Sequence, residues 1–305
     1  MSTQWLRRLS LTLGGDGTLM DLSALRIRFD VRRSDSPTPA SADLRITNPS
    51  PQTAEAARKE FTRLVLQAGY QDNVATIFEG GITQMRFSRE NATDSLLDIM
   101  ASDGGEAHDY AVINKTLAAG HGLRDQLDAC LAALAPFGIT AGTIADLGGA
   151  TMPRAAVLFG MVRDHLRNIA QAADCSWSIA GGRLTFVKNE EYIPGTAILV
   201  NRATGLIGTP SRTIEGVEVR TLLNPQIQPG RRLQLDQGAG ALQAAAASTA
   251  AMADDGLYKV LSVHHSGDTR DTPYYTDAVC IRADGDGPLP AGLAARGVVL
   301  QRPDA

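Results

Sequence analysis

Aromatic residues are scarce in this chain: Phe, Trp and Tyr make up 5% of its 305 residues. Single-stranded nucleic acid is usually held on stacked aromatic platforms, so a shortage of rings argues against that role. Basic residues are not in excess either. Lys and Arg number 29 against 33 Asp and Glu, a formal net charge of −4. A grip on phosphates needs a basic surface, and this balance argues against one. It leaves room for a mildly acidic lumen past which DNA could slide. Cysteine is rare: Cys130, Cys175 and Cys280 each sit in an apolar pattern, far apart in sequence. Buried free thiols fit that distribution better than a disulfide or zinc framework. No apolar run approaches membrane-spanning length. The start, Met1-Ser-Thr-Gln-Trp-Leu-Arg-Arg, has no apolar signal core, so synthesis and first residence in the cytoplasm are expected.

What is present is an ordinary globular chain, 44% hydrophobic and 20% charged, long enough for two or three domains with real cores. Residues 1–120 are expected to form a first β-barrel domain with helical insertions. Leu9, Leu11 and Leu13 alternate before the turn signal Gly14-Gly-Asp-Gly17. Leu25, Ile27, Phe29 and Val31 alternate next, the segment Asp35-Ser-Pro-Thr-Pro39 reads as a loop, and Leu44 and Ile46 mark a third strand ending at Asn48-Pro49. Ser50 can cap a helix with Pro51 at its first position, and Ala54, Ala57, Phe61, Leu64, Val65 and Ala68 fall on one helical face up to Gly69. Strands resume at Val74–Phe78 and Ile82–Phe87. Thr93 could cap a short helix through Ala101, and Ala111–Leu117 could be a further strand.

Residues 121–195 read as a small α+β domain. One helix carries Leu123, Leu127, Cys130, Leu131 and Leu134. A second is expected to open at Pro153 with Leu158, Met161, His165, Ile169 and Ala172 on its stripe. A hairpin turns at Gly181-Gly182. Residues 196–284 read as a second β-barrel domain, and 238–256 as an alanine-rich insert, either a loop or a marginal helix. Residues 285–305 form an extended C-terminal arm. The fold class expected is therefore mainly β, two small barrels flanking an α+β insertion.

The chemistry-bearing residues do not converge. No nucleophile elbow, phosphate loop, dinucleotide fingerprint or zinc-protease helix is present. His264-His265 are adjacent on a strand, so their side chains oppose and one ion could not take both. Asp284-Gly-Asp-Gly287 lacks the remaining acids of a calcium loop. Glu190-Glu191 read as solvated charge, His108, His121 and His165 stand alone, and nothing local orients Cys175 against His165. No catalytic residue, metal or cofactor is expected.

The most informative stretch is Gly216–Asp236. Val217, Val219, Thr221 and Leu223 alternate, Asn224-Pro225 and Pro229-Gly230 stop the strand twice, and Leu233 and Leu235 resume it. A long hairpin follows over Tyr258–Cys280, turning near Gly267-Asp268, where Asp268 and Asp271 would brace the turn through backbone hydrogen bonds. These stretches, together with Phe87–Asp103 and Val112–Leu117, resemble the baseplate hub proteins of contractile phage tails, the late control protein D or tail hub family. The resemblance spans about residues 80 to 283. Pro273-Tyr274 departs from it where a tryptophan is expected, and so does the alanine-rich insert. The resemblance implies Asn224, Pro225, Pro229, Gly230, Gly267 and Asp268 as structural turn positions. It implies a homotrimer whose six barrels match a six-fold tail tube. Its partners would be the tail tube protein, the central spike protein and other baseplate proteins, and DNA would pass through the lumen of the virion tail without sequence-specific binding. Two other readings stay open, a tail-associated peptidoglycan hydrolase and the hub of a tail-derived secretion or injection apparatus.

Overall fold

A computed structural model describes residues 6–15, 17–213, 216–236 and 256–283. The alanine-rich insert (its last residue, Gly256, apart), the Asp284-Gly-Asp-Gly287 segment and the C-terminal arm lie outside them, as does Asp16 of the first turn signal.

The first β unit contains β1 (Arg7–Gly15), the short β2 (Leu19–Asp21), β3 (Arg26–Ser34) and β4 (Ala40–Thr47). Helix α1 (Pro51–Glu60) follows, then β5 (Phe61–Tyr70), β6 (Asn73–Arg89) and β7 (Ser95–Asp103). The Ser50 hydroxyl accepts from the Thr53 N–H at 3.0 Å, the expected cap. The helix is shorter than its apolar spacing suggests, because it stops at Glu60 and residues 61–70 are a strand. From Phe61 the burial turns to alternation, with Leu64, Leu66 and Ala68 fully inside. As a strand this segment pairs with both β1 and β6, whereas a helix would present only one stripe. The short helix expected from Thr93 is likewise β7. Leu97, Ile99 and Ala101 point inward, and ladders to β4 and β6 satisfy both edges. The two strands expected over Val74–Phe87 are one 17-residue strand, β6.

The α+β unit comprises α2 (Gly105–Tyr110), β8 (Val112–Leu117), α3 (Leu123–Leu134), β9 (Thr140–Ile144), β10 (Ala156–Met161), α4 (Val162–Ala172), β11 (Cys175–Ala180) and β12 (Arg183–Lys188). The helix expected from Pro153 begins only at Val162. Residues 156–161 pair with β8 instead, placing Leu158 beside Ile113 over the core. Strand β9, not anticipated, lies parallel to β12.

The second β unit holds β13 (Ile198–Val200), β14 (Leu206–Thr213), β15 (Gly216–Leu222), β16 (Arg232–Leu235), β17 (Gly256–Asp268) and β18 (Tyr274–Arg282). Val217, Val219, Thr221 and Leu223 are all buried, as are Leu233 and Leu235, as their alternation requires.

Among the described residues, and setting β2 aside, each β unit has six strands in sequence, and the two pair in the same order. The first runs β3-β4-β7-β6-β5-β1 and the second β14-β15-β18-β17-β16-β13. Ranked along the chain, both are second, third, sixth, fifth, fourth, first. In each unit the fifth strand is the longest. One difference is orientation at the last pair, antiparallel for β1 with β5 and parallel for β13 with β16. Neither unit is a closed barrel. No ladder among the described residues joins β1 to β3 or β13 to β14, although β1 and β3 bury side chains in one core. The expectation of barrels therefore gives way to two rolled, open sheets. Strand β17 joins them into one, pairing with β16 and β18 in its own unit and, over Ser262–Asp268, with β3 of the first.

Candidate assembly site

The turn positions singled out in the sequence fall into two structural groups. Asn224, Pro225, Pro229 and Gly230 form a strap between β15 and β16, the place that α1 takes between β4 and β5 in the first unit. Leu223 belongs to the first core and Ile227 to the second unit's core, so the strap passes from one to the other. The Asn224 side chain accepts from the Gln226 N–H at 3.0 Å and from Asn73 Nδ2, at 3.1 Å, on the first unit. Its own N–H donates to Thr276 Oγ1 at 2.9 Å. Pro225 is buried, while Pro229 lines a cleft of about 370 Å³ beside Arg33 and Thr143. Gly230 has φ +79° and exchanges backbone hydrogen bonds with Val260 and Ile193, each 2.8 Å.

The second group, Gly267 and Asp268, lies not in the hairpin turn but in the last two residues of β17, held there by the ladder to β3; the turn itself follows at 269–273. Gly267 pairs with Phe29 and with Tyr274, and a Cβ there would lie 2.3 Å from Phe29 Cζ and 2.8 Å from Tyr274 Cδ2. Only a hydrogen fits between the rings. Gly267→Ala is expected to cost about 1–3 kcal/mol through overpacking, read as a lower urea midpoint at unchanged slope. Asp268 is almost wholly buried. Its carboxylate holds the Arg270 N–H at 2.9 Å, bracing the turn as expected, but it also takes Arg26 Nη2 at 2.7 Å and Arg28 Nε at 3.2 Å on β3. Burial works to raise the Asp268 pKa, but the Arg26 hydrogen bond, the Arg270 N–H and Arg28 outweigh it and hold the carboxyl below its usual range. Asp271 caps the Thr272 N–H at 2.8 Å.

Beyond the hairpin turn, Tyr274 reaches into the first unit. Fully buried, it stands edge-on to Phe29 and Tyr70 at 5.9 and 5.6 Å. Its hydroxyl donates to Arg8 O at 2.8 Å and meets the Gly69 N–H at 3.2 Å, tying β1 to β5. The tyrosine standing where the family resemblance leads one to expect tryptophan therefore has its own polar partners at the junction.

A third contact was not legible as a site. Asp35, in the loop after β3, and Lys259, on β17, form a buried ion pair at 3.4 Å with side chains 6% and 5% exposed. Ser176 on β11 donates to Asp35 at 2.9 Å, and Lys259 donates to Lys188 O at 3.2 Å. One residue from each unit thus meets at a single point. A buried pair leaves no periodic trace, and Asp35 in a Pro-rich loop looks like any turn residue.

The outward face of the joined sheet carries charges of both signs. Arg220 pairs with Asp277 at 2.6 Å and Arg45 with Asp98 at 2.8 Å, while His264 Nε2 shares a 2.6 Å hydrogen bond with Asp30. Such a face offers no continuous basic track to phosphates.

The histidines split as alternation demands: His264 faces outward and His265 is fully buried. His265 shares a 2.9 Å hydrogen bond with Thr276, and burial, with Arg33 nearby, pushes its pKa down to about 3. Folding thus favours the neutral ring. Its contribution is complete above pH 6.5, where the unfolded chain is also neutral, and is lost as pH falls toward 3. Stability should drop by up to roughly 1.4 kcal/mol per pH unit below 6.5. Urea titrations at pH 7 and 5 should show a smaller drop for His265→Gln than for the unsubstituted chain.

The remaining candidates stay apart. His165 reaches only Phe159 O at 3.3 Å, His121 bonds Ala118 O at 2.7 Å, and His108 contacts its neighbour Asp109. Burial raises the pKa of all three thiols, those of Cys130 and Cys280 to about 12, which disfavours the thiolate. Glu190 and Glu191 sit on a turn after β12. Among the described residues no cluster of His, Cys, Asp or Glu is placed to hold a metal, and no helix is long and apolar enough to cross a membrane.

No protein-family model matches the chain, and no curated protein matches it in sequence. Solved structures do match in shape, and the fold they define is that of phage tail proteins. The 43 kDa tail protein of prophage MuSo2 from Shewanella oneidensis aligns with a TM-score of 0.61 at 10% identity, over 90% of this chain and 97% of that one. A tail protein from Neisseria meningitidis MC58 gives 0.61 at 11% identity, over 90% and 96%. An E. coli component of the type VI secretion system, described as structurally similar to T4 bacteriophage tail proteins, gives 0.56 at 12%, over 84% and 73%. At these identities the likeness is one of fold.

Proposed function

We propose that this chain is a structural protein of a phage tail, the baseplate hub. Three copies form a ring of pseudo-six-fold symmetry that joins the hexameric tail tube to the trimeric spike and lets DNA pass. The observation that carries the reading is the repeated strand order. Two units with the same pairing sequence in one chain let three chains present six similar sheets. The fold shared with tail proteins over nine-tenths of the chain supports it, as does the mixed-charge outer face, which suits a conduit better than a grip. The work is assembly rather than turnover. In this reading β1–β7, the elements from α2 to β12, and β13–β18 act as first tube-like unit, α+β spacer and second tube-like unit, so the spacer takes in residues 105–117, which pack in its core rather than the first unit's. The E. coli neighbour favours one variant, in which the same ring serves a tail-derived secretion apparatus.

Mass measurement of the purified protein, alone and with its cognate spike, with two-dimensional electron-microscope averages, tests the proposal. A trimer with six lobes is expected. A chain that stays monomeric in both conditions overturns it.

A further inference from the structure

The ribbon of β8 and β10 carries large apolar side chains on both faces. Leu158 and Ile113 point into the α+β core. On the opposite face Val157, Phe159 and Val112 are 66%, 75% and 64% exposed, with Tyr110 71% exposed at the entry to β8. Phe159 lies opposite Asn114 and Val157 opposite Thr116, so this face carries no charged side chain. A two-stranded ribbon over a core ordinarily turns a polar face to water. This one instead turns Val112, Val157 and Phe159 to water beside the uncharged Asn114 and Thr116.

We infer that the outward face of this ribbon is a contact between copies of this chain. The inference rests on the ring proposed above and names the surface that holds it. The area supports this occupant. Side chains of these sizes at these exposures present on the order of 400–600 Å² of apolar surface, at the upper end of what monomers leave uncovered. That is also about the non-polar share of one side of a standard interface, roughly 800 Å² per partner. An uncharged face makes no electrostatic selection for an acidic or basic partner. A second copy meets the requirement this face sets, burial of its apolar area beside the uncharged Asn114 and Thr116.

The test is sedimentation of the full chain, unsubstituted and as Phe159→Glu, across a concentration series, with Met100→Glu as an exposed apolar control on the first unit. Phe159→Glu should raise the concentration of half-association about 100-fold or more, with unchanged circular dichroism, while Met100→Glu should leave it unaltered. Hydrogen exchange of the unsubstituted chain should show amides 112–117 and 156–161 gaining protection with concentration. Rings that form equally well with Phe159→Glu, or protection that ignores concentration, would overturn this assignment and leave the ring itself standing. An unsubstituted chain that is monomeric throughout would also overturn it, and the ring would then be decided by the measurement with the spike.

Discussion

Tyr274→Ala should cost the protein about 3–5 kcal/mol, the range for emptying a large buried aromatic site. Three features of the site push the loss toward the upper end. The ring has no exposure, so the cavity cannot fill from solvent without wetting Phe29 and Tyr70. The hydroxyl's partners, Arg8 O in a part-buried contact and the buried Gly69 amide, would each lose a hydrogen-bond partner. Arg7, whose guanidinium stands 5.0 Å from the ring centroid, would lose its cation–π contact. Tyr274→Phe separates these terms. It keeps the ring and removes the hydroxyl, for an expected loss of about 1–2 kcal/mol. Burial already pushes the phenol pKa up to about 12, so the hydroxyl stays a donor through the accessible pH range. Urea unfolding of both variants reads the two values. The informative signature is local. Because Tyr274 belongs to β18 but packs in the first unit's core, Tyr274→Ala should also speed exchange at amides 7–13 and 64–70. If exchange rises only within β17 and β18, the residue does not link the two sheets.

The elements with clean period-two alternation were legible from residues alone. Leu11 and Leu13, Ile27 through Val31, and Val217 through Leu223 are strands because each buries one face, and the sequence shows it. The misread segments share one property: their apolar residues satisfy both periods. In residues 61–68, Phe61, Leu64, Val65 and Ala68 fit a helical stripe, while Leu64, Leu66 and Ala68 fit a strand face. What decides is the presence of β1 and β6 on either side, information that lies far away in the chain. The same holds for residues 95–103 between β4 and β6, and for 156–161 against β8. The turn residues at 224–230 could be found because proline and glycine carry their conformational meaning locally, whereas Gly267 and Asp268, expected at the hairpin turn, are the last residues of β17. The role of Gly267 and Asp268 in joining the sheets could not be found, since Arg26, Arg28 and Phe29 lie about 240 residues away. The strand-order repeat left no trace in sequence identity either. It is a property of pairing, and strand pairing fixes inward apolar positions without fixing which apolar residue fills them.

Lys259→Met is expected to be the other severe single change, at about 3–5 kcal/mol, because it strands the Asp35 carboxylate in a site where only 6% of that side chain meets water. Ser176 would remain as one neutral donor, too little to hold an unpaired charge. Asp35→Asn is the reciprocal test and should be milder. The amide oxygen can still accept from Ser176, and Lys259 keeps the carbonyls of Lys188 and Asn189 at 3.2 and 3.4 Å. The informative variant is the double one, Asp35→Leu with Lys259→Met. If the pair serves stability alone, replacing both charges by apolar volume should recover most of the loss, since desolvation of two ions offsets their attraction. If it fixes how the three units sit on one another, stability should return while assembly does not. The double variant would then unfold at a near-normal urea concentration but form fewer of the rings proposed above. Recovery of both stability and ring formation would mean that apolar contact alone sets the arrangement of the units, and that the ion pair is dispensable.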